Sequence, residues 1–493
     1  MKKWILCSLT GTFLALGADD WPQFRGPGGM GLGSETATLP TEFGPGEAQL
    51  WKTELPLGQG SPCVWGDRIF VTGFDPAVKK IEIIALDRKK GAIVWRRTVP
   101  ATEIEKVHEI SSPATSTPVT DGKLIYAYIG SYGLLAYAWD GTPVWEYPMG
   151  AAKSPYGSGT SPILVRDLVI VTRDYLPDPQ MVAVGKNDGK LAWKANLTKS
   201  TQPGSGAAHA TPALWRDQII LHRPAEVSAY ASKDGSKLWW VNTNSSGTST
   251  ASIGDGVVYV TAFSVSGDGT VPRPPFSEVL EKYDANKDGK LSESELPARD
   301  LYLMKRAGVP DTIPGAQPFT LKFFFRRLDL NNDGFIDESE YNRADEFVRR
   351  MSTSAAGGLL SIRAGGEGDV SATAVEWAEK RNVPEVTAPL TYRGRVYMVT
   401  SGGIVSCVNA KTGRSIYRGR VNAPGTYFAS PVAAGGKVFV TSAEGIITVL
   451  GGGETLEILA NNDLGEAIYG TPALAESTIY VRSSQHLWAF GRQ

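Results

Sequence analysis

Two short acidic segments carry the residues best suited to bind a metal ion. In the first segment Asp284, Asn286 and Asp288 occupy alternate positions, and Glu295 stands at the twelfth. Gly289, at the sixth position, permits a sharp turn. Ca²⁺ takes about six to eight oxygen ligands at roughly 2.3 to 2.6 Å, and a two-oxygen glutamate at position 12 favours it over the smaller Mg²⁺. The spacing therefore predicts a calcium-binding loop.

The second segment repeats this arrangement from Asp329 to Glu340, with Asp337 at the ninth position where the first has Ser292. The apolar eighth residues, Leu291 and Ile336, are expected to pair between the loops. Position 7 contributes a backbone carbonyl oxygen, which comes from Lys290 and from Phe335. The predicted metal ligands are therefore Asp284, Asn286, Asp288, Lys290, Ser292, Glu295, Asp329, Asn331, Asp333, Phe335, Asp337 and Glu340.

Helical patterns lead into both loops. Phe276, Val279 and Leu280 recur at helical spacing before the first loop, and Phe324 and Leu328 do so before the second. Helix followed by a twelve-residue acidic loop is typical of the EF-hand. Residues 271–353 are thus expected to form a small helical EF-hand pair. Pro297, Pro310 and Pro314 interrupt the linking segment, which leaves its pairing geometry open.

Other arrangements that could perform chemistry are absent from the sequence. The chain has four histidines and contains no HExxH, His-x-His, Cys-x-x-Cys or phosphate-binding GxxxxGK[ST] pattern. Glycine-flanked serines such as Ser158 and Ser205 lack the strand-to-helix context of a nucleophile elbow. The sequence therefore names no catalytic residue, and it favours a binding protein over an enzyme.

The elements that must position these residues form a repeat. A small residue followed by proline, a tight turn and an alternating strand opens each unit. The pairs are Ser61-Pro62, Thr117-Pro118, Ser161-Pro162, Thr211-Pro212, Ala388-Pro389, Ser430-Pro431 and Thr471-Pro472, with Thr250-Ala251 as a degenerate eighth. A count of seven units would require dismissing the Thr250-Ala251 unit, which is the fifth in chain order.

A second ladder of large side chains closes the units. It comprises Trp95, Trp145, Trp193, Trp239, Trp377, Tyr417 and Leu459. Trp51 fits the same ladder but has no opening strand before it, so residues 48–55 are expected to complete the last unit. An N-terminal strand that joins the C-terminal sheet removes an open edge, as a closed radial array requires.

The units resemble the pyrroloquinoline-quinone-type propeller repeat, in which an Asp-x-x-x-Gly turn precedes a tryptophan strand. The match includes Asp87 to Trp95 and Asn187 to Trp193. The resemblance implies an all-β, eight-bladed, quinoprotein-like β-propeller with the EF-hand pair inserted in blade five. It also implies that the tryptophans dock between neighbouring blades. Repeated Gly-His and Trp-Asp pairs, typical of WD propellers, do not occur.

The segments before each opening strand are expected to run toward the propeller axis. They hold side chains that could converge in a funnel and bind a small ligand or a peptide. The residues are His108, Glu109, Tyr156, His209, Tyr427, Phe428 and Tyr469. The alternative is that these side chains plug a channel without binding anything.

The N-terminus resembles a secretory signal peptide. Lys2 and Lys3 precede an apolar stretch, and small residues follow at 15–18. We expect a signal peptide over 1–17, a lead-in over 18–47 and the propeller over 48–493. The lead-in carries Trp21-Pro22-Gln23-Phe24-Arg25-Gly26-Pro27, which is similar to the lead-in of secreted bacterial propellers and is expected to pack across one face. The signal-peptide pattern predicts a periplasmic or secreted protein, and no stretch of the sequence is long enough to span a bilayer.

Charge and cysteine usage limit the function further. Fifty basic residues face fifty-one acidic ones without long runs, which makes nucleic acid a poor partner. Cys63 and Cys407 lie in separate units and are expected to be free thiols. The sequence favours a calcium-binding scaffold or recognition protein whose partner is a protein or another extracellular macromolecule. Its oligomeric state is open.

The alternative is a pyrroloquinoline-quinone-dependent dehydrogenase. The resemblance implies that such an enzyme would hold its quinone and a calcium in the axial funnel, commonly with adjacent cysteines. No two cysteines of this chain are adjacent. Its recognisable calcium ligands lie in the insertion, so pyrroloquinoline quinone is not expected as a cofactor.

Overall fold

Eight small antiparallel sheets are arranged around a central axis in a computed structural model of the chain. The structure describes residues 20–154, 156–199, 207–243, 245–263, 273–303, 320–344 and 357–492. The expected signal peptide lies outside the described residues. The predicted all-β, eight-bladed propeller with a helical insertion in blade five is confirmed.

The first four blades follow one another along the chain, each running from an inner to an outer strand. Blade one contains β2 (Cys63–Trp65), β3 (Arg68–Asp75), β4 (Lys80–Asp87) and β5 (Ile93–Thr98). Blade two contains β6 (Val119–Thr120), β7 (Leu124–Ile129), β8 (Gly133–Ala138) and β9 (Pro143–Pro148). Blade three contains β10 (Ile163–Val165), β11 (Leu168–Arg173), β12 (Gln180–Gly185) and β13 (Leu191–Asn196). Blade four contains β14 (Ala213–Trp215), β15 (Gln218–Arg223), β16 (Glu226–Ala231) and β17 (Lys237–Asn242).

Blade five is split by the insertion. It contains β18 (Ser252–Gly254), β19 (Val257–Ala262), β22 (Gly358–Arg363) and β24 (Val375–Glu379). Between β22 and β24, the short strand β23 (Gly368–Asp369) adds to the outer edge of blade four, and one helical turn follows at Ser371–Ala374.

Blade six contains β25 (Leu390–Tyr392), β26 (Arg395–Thr400), β27 (Ile404–Asn409) and β28 (Ser415–Arg420). Blade seven contains β29 (Val432–Ala434), β30 (Lys437–Thr441), β31 (Ile446–Gly451) and β32 (Ile458–Asp463). Blade eight contains β33 (Ala473–Ala475), β34 (Thr478–Arg482) and β35 (His486–Phe490), and β1 (Gln49–Glu54) completes it from the N-terminal side. The two ends of the ring are thus joined by backbone hydrogen bonds between β1 and β35.

Tryptophans dock between neighbouring blades, as the resemblance implied. Trp51 of blade eight donates its indole N–H to the Arg88 carbonyl of blade one at 3.1 Å. The indole covers Gly91, where a Cβ would lie 2.5 Å from the ring. Trp95, Trp145, Trp193 and Trp377 make the same pair of contacts with the next blade. The glycine of each turn leaves room for the indole, so the two parts of the repeat depend on each other.

The Ser/Thr-Pro residues that open the units form a second link between blades. Six of the opening residues donate their N–H to the hydroxyl of the corresponding residue in the next blade, at 2.9 to 3.0 Å. The donors are Ser61, Thr117, Ser161, Thr211, Ala388 and Ser430. The acceptors are Thr117, Ser161, Thr211, Thr250, Ser430 and Thr471. Ala388, at the entry of blade six, has no hydroxyl and interrupts the series. Buried backbone N–H groups near the axis are satisfied in this way.

Lead-in residues 20–47 lie against the inner strands. Trp21 pairs with Val64 of β2 in blade one, and Leu32 pairs with Ala433 of β29 in blade seven. The Met30 sulfur accepts a hydrogen bond from the Ile253 N–H of β18 in blade five at 3.2 Å. The Pro22 carbonyl accepts a hydrogen bond from Thr120 of β6. Because the inner strands line the channel of a propeller, these contacts place the lead-in across the axis.

The insertion leaves and re-enters blade five at paired residues, since Ala262 lies opposite Gly358. It contains the helices α1 (Phe276–Tyr283) and α2 (Phe325–Leu328), a helical segment at 338–344, and the two-residue strands β20 (Leu291–Ser292) and β21 (Phe335–Ile336). Its apolar side chains form a separate core that draws only on residues 276–344. The described helices include none long and apolar enough to cross a membrane. Cys63 and Cys407 are buried free thiols.

Candidate functional site

The two acidic loops of the insertion lie side by side. Leu291 pairs with Ile336 and Ser292 with Phe335, which confirms the predicted bridge between the eighth positions. Both Leu291 and Ile336 are fully buried in the core of the insertion. The bridge therefore fixes the position of one loop relative to the other.

Each loop is closed by its first and sixth residues. The Gly289 N–H donates to Asp284 at 2.9 Å, and the Gly334 N–H donates to Asp329 at 3.0 Å. Both glycines have positive φ, 80° and 83°, a conformation that residues with a Cβ rarely adopt. The turn that brings alternate side chains to one side of the loop depends on these glycines.

The twelfth residue of each loop reaches back across it. Glu295 accepts hydrogen bonds from the N–H groups of Ala285 and Ser292, at 3.1 and 2.8 Å. Glu340 accepts from the N–H groups of Leu330 and Asp337, at 2.8 and 3.2 Å. The Ser292 N–H and hydroxyl lower the pKa of Glu295, which keeps this carboxylate charged. Both glutamates are thus anchored as loop-closing carboxylates.

The donor set fits calcium. All six predicted ligand positions in each loop provide an oxygen atom, which is the ligand type that a hard cation such as Ca²⁺ prefers. In the described part of the chain, no group of three or more His, Cys, Asp or Glu side chains is arranged so that it could hold a metal ion. The loop carboxylates instead accept hydrogen bonds from loop N–H groups. Calcium would be held by the twelve predicted ligands once their free oxygens turn toward it.

A lysine side chain of loop one forms an ion pair with loop two. The Lys290 ammonium lies 3.1 Å from the carboxylate of Asp333, the fifth residue of the second loop. This contact lowers the pKa of Asp333 and raises the pKa of Lys290. A predicted calcium ligand is therefore already engaged by a positive charge.

The residues predicted for the funnel fall into two aromatic groups. The ring centroids of His108 and Tyr156 lie 5.7 Å apart, and those of Tyr156 and His209 lie 5.8 Å apart. Phe428 stacks on Tyr469 at 5.8 Å. Tyr156 is 54% exposed, so the first group presents an aromatic ring to solvent. These groups lie on the segments that join one blade to the next.

The other predicted funnel residues differ in their surroundings. Glu109 is exposed. Tyr427 is buried, and its hydroxyl donates to the Ala423 carbonyl at 2.7 Å, so it supports its own loop. The His209 ring is half-buried, but its Nε2 is enclosed and has no hydrogen-bond partner among the described residues. Burial lowers the pKa of His209 to about 4, which keeps the ring neutral.

Sequence reasoning missed Glu105, in the same linker as Glu109. Its side chain is 4% exposed, and neither carboxylate oxygen accepts a well-formed hydrogen bond from the described residues. Burial raises the pKa of Glu105 to about 7, against the opposing effects of Ser158 and Arg173. No sequence pattern distinguishes Glu105 from Glu109, because only the fold turns one inward.

Glu105 belongs to a polar group between blades two and three. Arg173 donates to the Tyr128 hydroxyl at 2.9 Å and to the Gly130 carbonyl at 3.2 Å. A Cβ on Gly130 would collide with both Glu105 and Ser158, which shows how closely the carboxyl is packed. A neutral carboxyl here could donate a hydrogen bond, and an ionised one could accept from a ligand.

Comparison with known proteins agrees with this architecture. A family model described as outer membrane protein assembly factor BamB matches residues 41–271 and 369–493, and an EF-hand model matches residues 276–297 and 322–344. A search of curated proteins found no match.

Solved structures share the fold at low sequence identity. BamB from Moraxella catarrhalis has a TM-score of 0.50 and 13% identity, covering 90% of this chain and 97% of that one. A europium-containing methanol dehydrogenase has a TM-score of 0.55 and 12% identity, covering 96% and 98%. The quinohemoprotein alcohol dehydrogenase from Comamonas testosteroni has a TM-score of 0.52 and 10% identity, covering 96% and 81%.

These structural likenesses establish the fold alone, whereas the family model matches most of the sequence. It matches on both sides of the insertion, and the EF-hand model matches within it. The chain therefore belongs to the pyrroloquinoline-quinone-type repeat family described as outer membrane protein assembly factor BamB, with an EF-hand pair inserted in its fifth blade.

Proposed function

We propose that this protein is an exported, calcium-binding propeller that binds a macromolecular partner or a small ligand at its mouth. The observation that carries the proposal is the EF-hand pair, which has its own core and enters blade five at paired residues. Such a module can respond to calcium while the ring stays folded. Extracellular calcium-binding modules often work at about 10⁻⁴ to 10⁻³ M, which suits a periplasmic or secreted protein.

The mouth provides the second part of the proposal. Tyr156 is exposed between the rings of His108 and His209, and aromatic side chains of this kind are enriched where proteins recognise partners. The family description names an assembly factor, and BamB shares the fold. Both support a protein partner over a nucleic acid.

Site-specific crosslinking in the native host tests the mouth directly. A photo-reactive amino acid in place of Tyr156 should give a discrete adduct with one partner. The same amino acid in place of Arg166 is the control, because this exposed residue lies in the turn between β10 and β11, at the opposite end of the inner strand. Equal adducts at both positions, or none at Tyr156, would contradict a partner-binding mouth.

The alternative function is a quinone-dependent dehydrogenase. The solved structures that share the fold include dehydrogenases, and Glu105 supplies a buried carboxyl beside the mouth. Reconstitution with pyrroloquinoline quinone and calcium, followed by dye reduction with alcohols and sugars, separates the two functions. We expect no turnover. Turnover that is lost in Glu109→Gln or Glu105→Gln would establish the dehydrogenase.

A further inference from the structure

Arg25 of the lead-in is fully buried and has no carboxylate partner in the described part of the chain. Its Nη2 donates to the carbonyl oxygens of Pro389, at 2.7 Å, and Met30, at 3.3 Å. Its Nε and Nη1 are enclosed and have no acceptor among the described residues. Three N–H hydrogens of a charged guanidinium are therefore unsatisfied.

Two other buried arginines of this protein pair with carboxylates. Arg223 contacts Asp174 at 2.8 Å and Glu226 at 2.6 Å. Arg88 lies 3.6 Å from both Asp20 and Glu476. A buried charge that is neither paired nor solvated is costly, so proteins rarely leave one. Arg173 and Arg482 are buried without an ion pair, but protein oxygens accept from all three nitrogens of Arg173 and from two of Arg482. Arg25 has an acceptor for only one of its three nitrogens among the described residues.

The backbone is shaped to hold this side chain in place. Arg25 itself has a φ of 59°, which is uncommon for a residue with a Cβ. Its carbonyl accepts a hydrogen bond from Gly31 at 2.7 Å, and a Cβ on Gly31 would lie 3.3 Å from Nη2. A strained residue persists only where its surroundings impose it. The surroundings here direct a cation into the interior.

Arg25 lies where the lead-in crosses the ring. The residues before it contact β2 and β6, whereas its guanidinium bonds to Pro389, immediately before β25 of blade six. The side chain thus points into the channel that the inner strands surround. Burial lowers the pKa of Arg25 to about 9, so the group is still a cation at neutral pH.

We propose that the Arg25 guanidinium binds a small anion in the axial channel of the propeller. A halide or a small oxyanion would accept the free N–H groups and neutralise the buried charge. The anion would then link the lead-in to the inner strands of several blades. The site is separate from the EF-hand loops and from the mouth residues, so it does not depend on the proposed function.

Crystallography of the full-length mature protein with bound calcium is the first test. Crystals grown in sodium bromide should show an anomalous peak within hydrogen-bonding distance of Nε or Nη1 of Arg25. Adding sulfate should displace the bromide if the site prefers an oxyanion, and leave it if the site prefers a halide. An ordered water at this position in bromide crystals, without an anomalous peak, would overturn the proposal.

Thermal unfolding provides a second readout. In a background of gluconate, a bulky organic anion, chloride or sulfate should raise the melting temperature saturably, by about 2 °C or more. Arg25→Gln should lose this saturable part, whereas Arg166→Gln, at an exposed position, should keep it. An equal response in the wild type and both variants would reflect general salt effects and contradict the site. If Arg25→Gln does not fold, the bromide peak in the wild type decides.

Discussion

Lys290 of the first EF-hand loop contacts Asp333 of the second at 3.1 Å, so the loops are joined by an ion pair as well as by a strand bridge. The ammonium contacts one oxygen of a predicted calcium ligand and adds positive charge near both predicted calcium sites. Lys290→Gln keeps the position-7 carbonyl but removes that charge. Because exposed ion pairs are worth about 0.2 to 1 kcal/mol, we expect calcium binding by loop two to tighten roughly two- to fivefold. Isothermal titration calorimetry of the wild type and the variant measures this change in calcium affinity. Lys287→Gln is the control, and weaker binding in Lys290→Gln would contradict the prediction.

The second loop should bind calcium more tightly than the first. It has four acidic side-chain ligands against three, because Asp337 replaces Ser292 at position 9. Glu340→Gln should therefore abolish the stronger calorimetric phase, and Glu295→Gln the weaker one. Glu338→Gln removes an exposed carboxylate from the same helical segment and should change neither. Unchanged binding in both ligand variants would show that calcium does not bind here.

Removing calcium should unfold the insertion before the ring. The core of the insertion shares no residue with the blades, and its ends are held together by the pairing of Ala262 with Gly358. A chelator should reduce the helical circular dichroism and expose protease sites within 271–353, with little change in the main melting transition. Replacing residues 271–353 with a short Gly/Ser turn should leave a folded propeller, since closing a surface loop costs little. A deletion variant that is insoluble under all conditions would make the insertion part of the core.

Glu105 should make stability fall as pH rises. Its pKa is about 7 in the folded protein and about 4.5 when unfolded, so the folded state binds the extra proton between these values. The contribution of Glu105 to the free energy of unfolding is fully present below about pH 4.5. It is lost as the pH rises toward 7, and amounts to on the order of 3 kcal/mol. Glu105→Gln should remove this dependence.

The measurement for Glu105 is the difference between wild type and variant in unfolding free energy from pH 4 to 8. Comparing the two proteins cancels the opposite contributions of His209 and His222, whose pKa values burial lowers to about 4. Glu109→Gln, at an exposed position, is the matched control. A constant difference across this range would mean that Glu105 titrates normally.

The sequence by itself determined the repeat and the calcium loops. Both depend on contacts between residues that are close in the chain or repeated at each blade. The Asp-x-Asn-x-Asp-Gly spacing predicts a loop because a twelve-residue turn can wrap an ion in few ways. The Trp51 and Gly91 positions recur because every blade must pack on the next in the same manner.

Only the tertiary structure decided which polar groups are buried. Glu105 and Glu109 are indistinguishable by pattern, yet one is enclosed beside Arg173 and the other is exposed. Arg25 belongs to a segment that the sequence placed across one face, and the fold brings its guanidinium against blade six. The desolvation of a charge depends on every element packed around it, and residues from several blades supply that environment. The spacing of residues within a short stretch of sequence therefore does not reveal these long-range contacts.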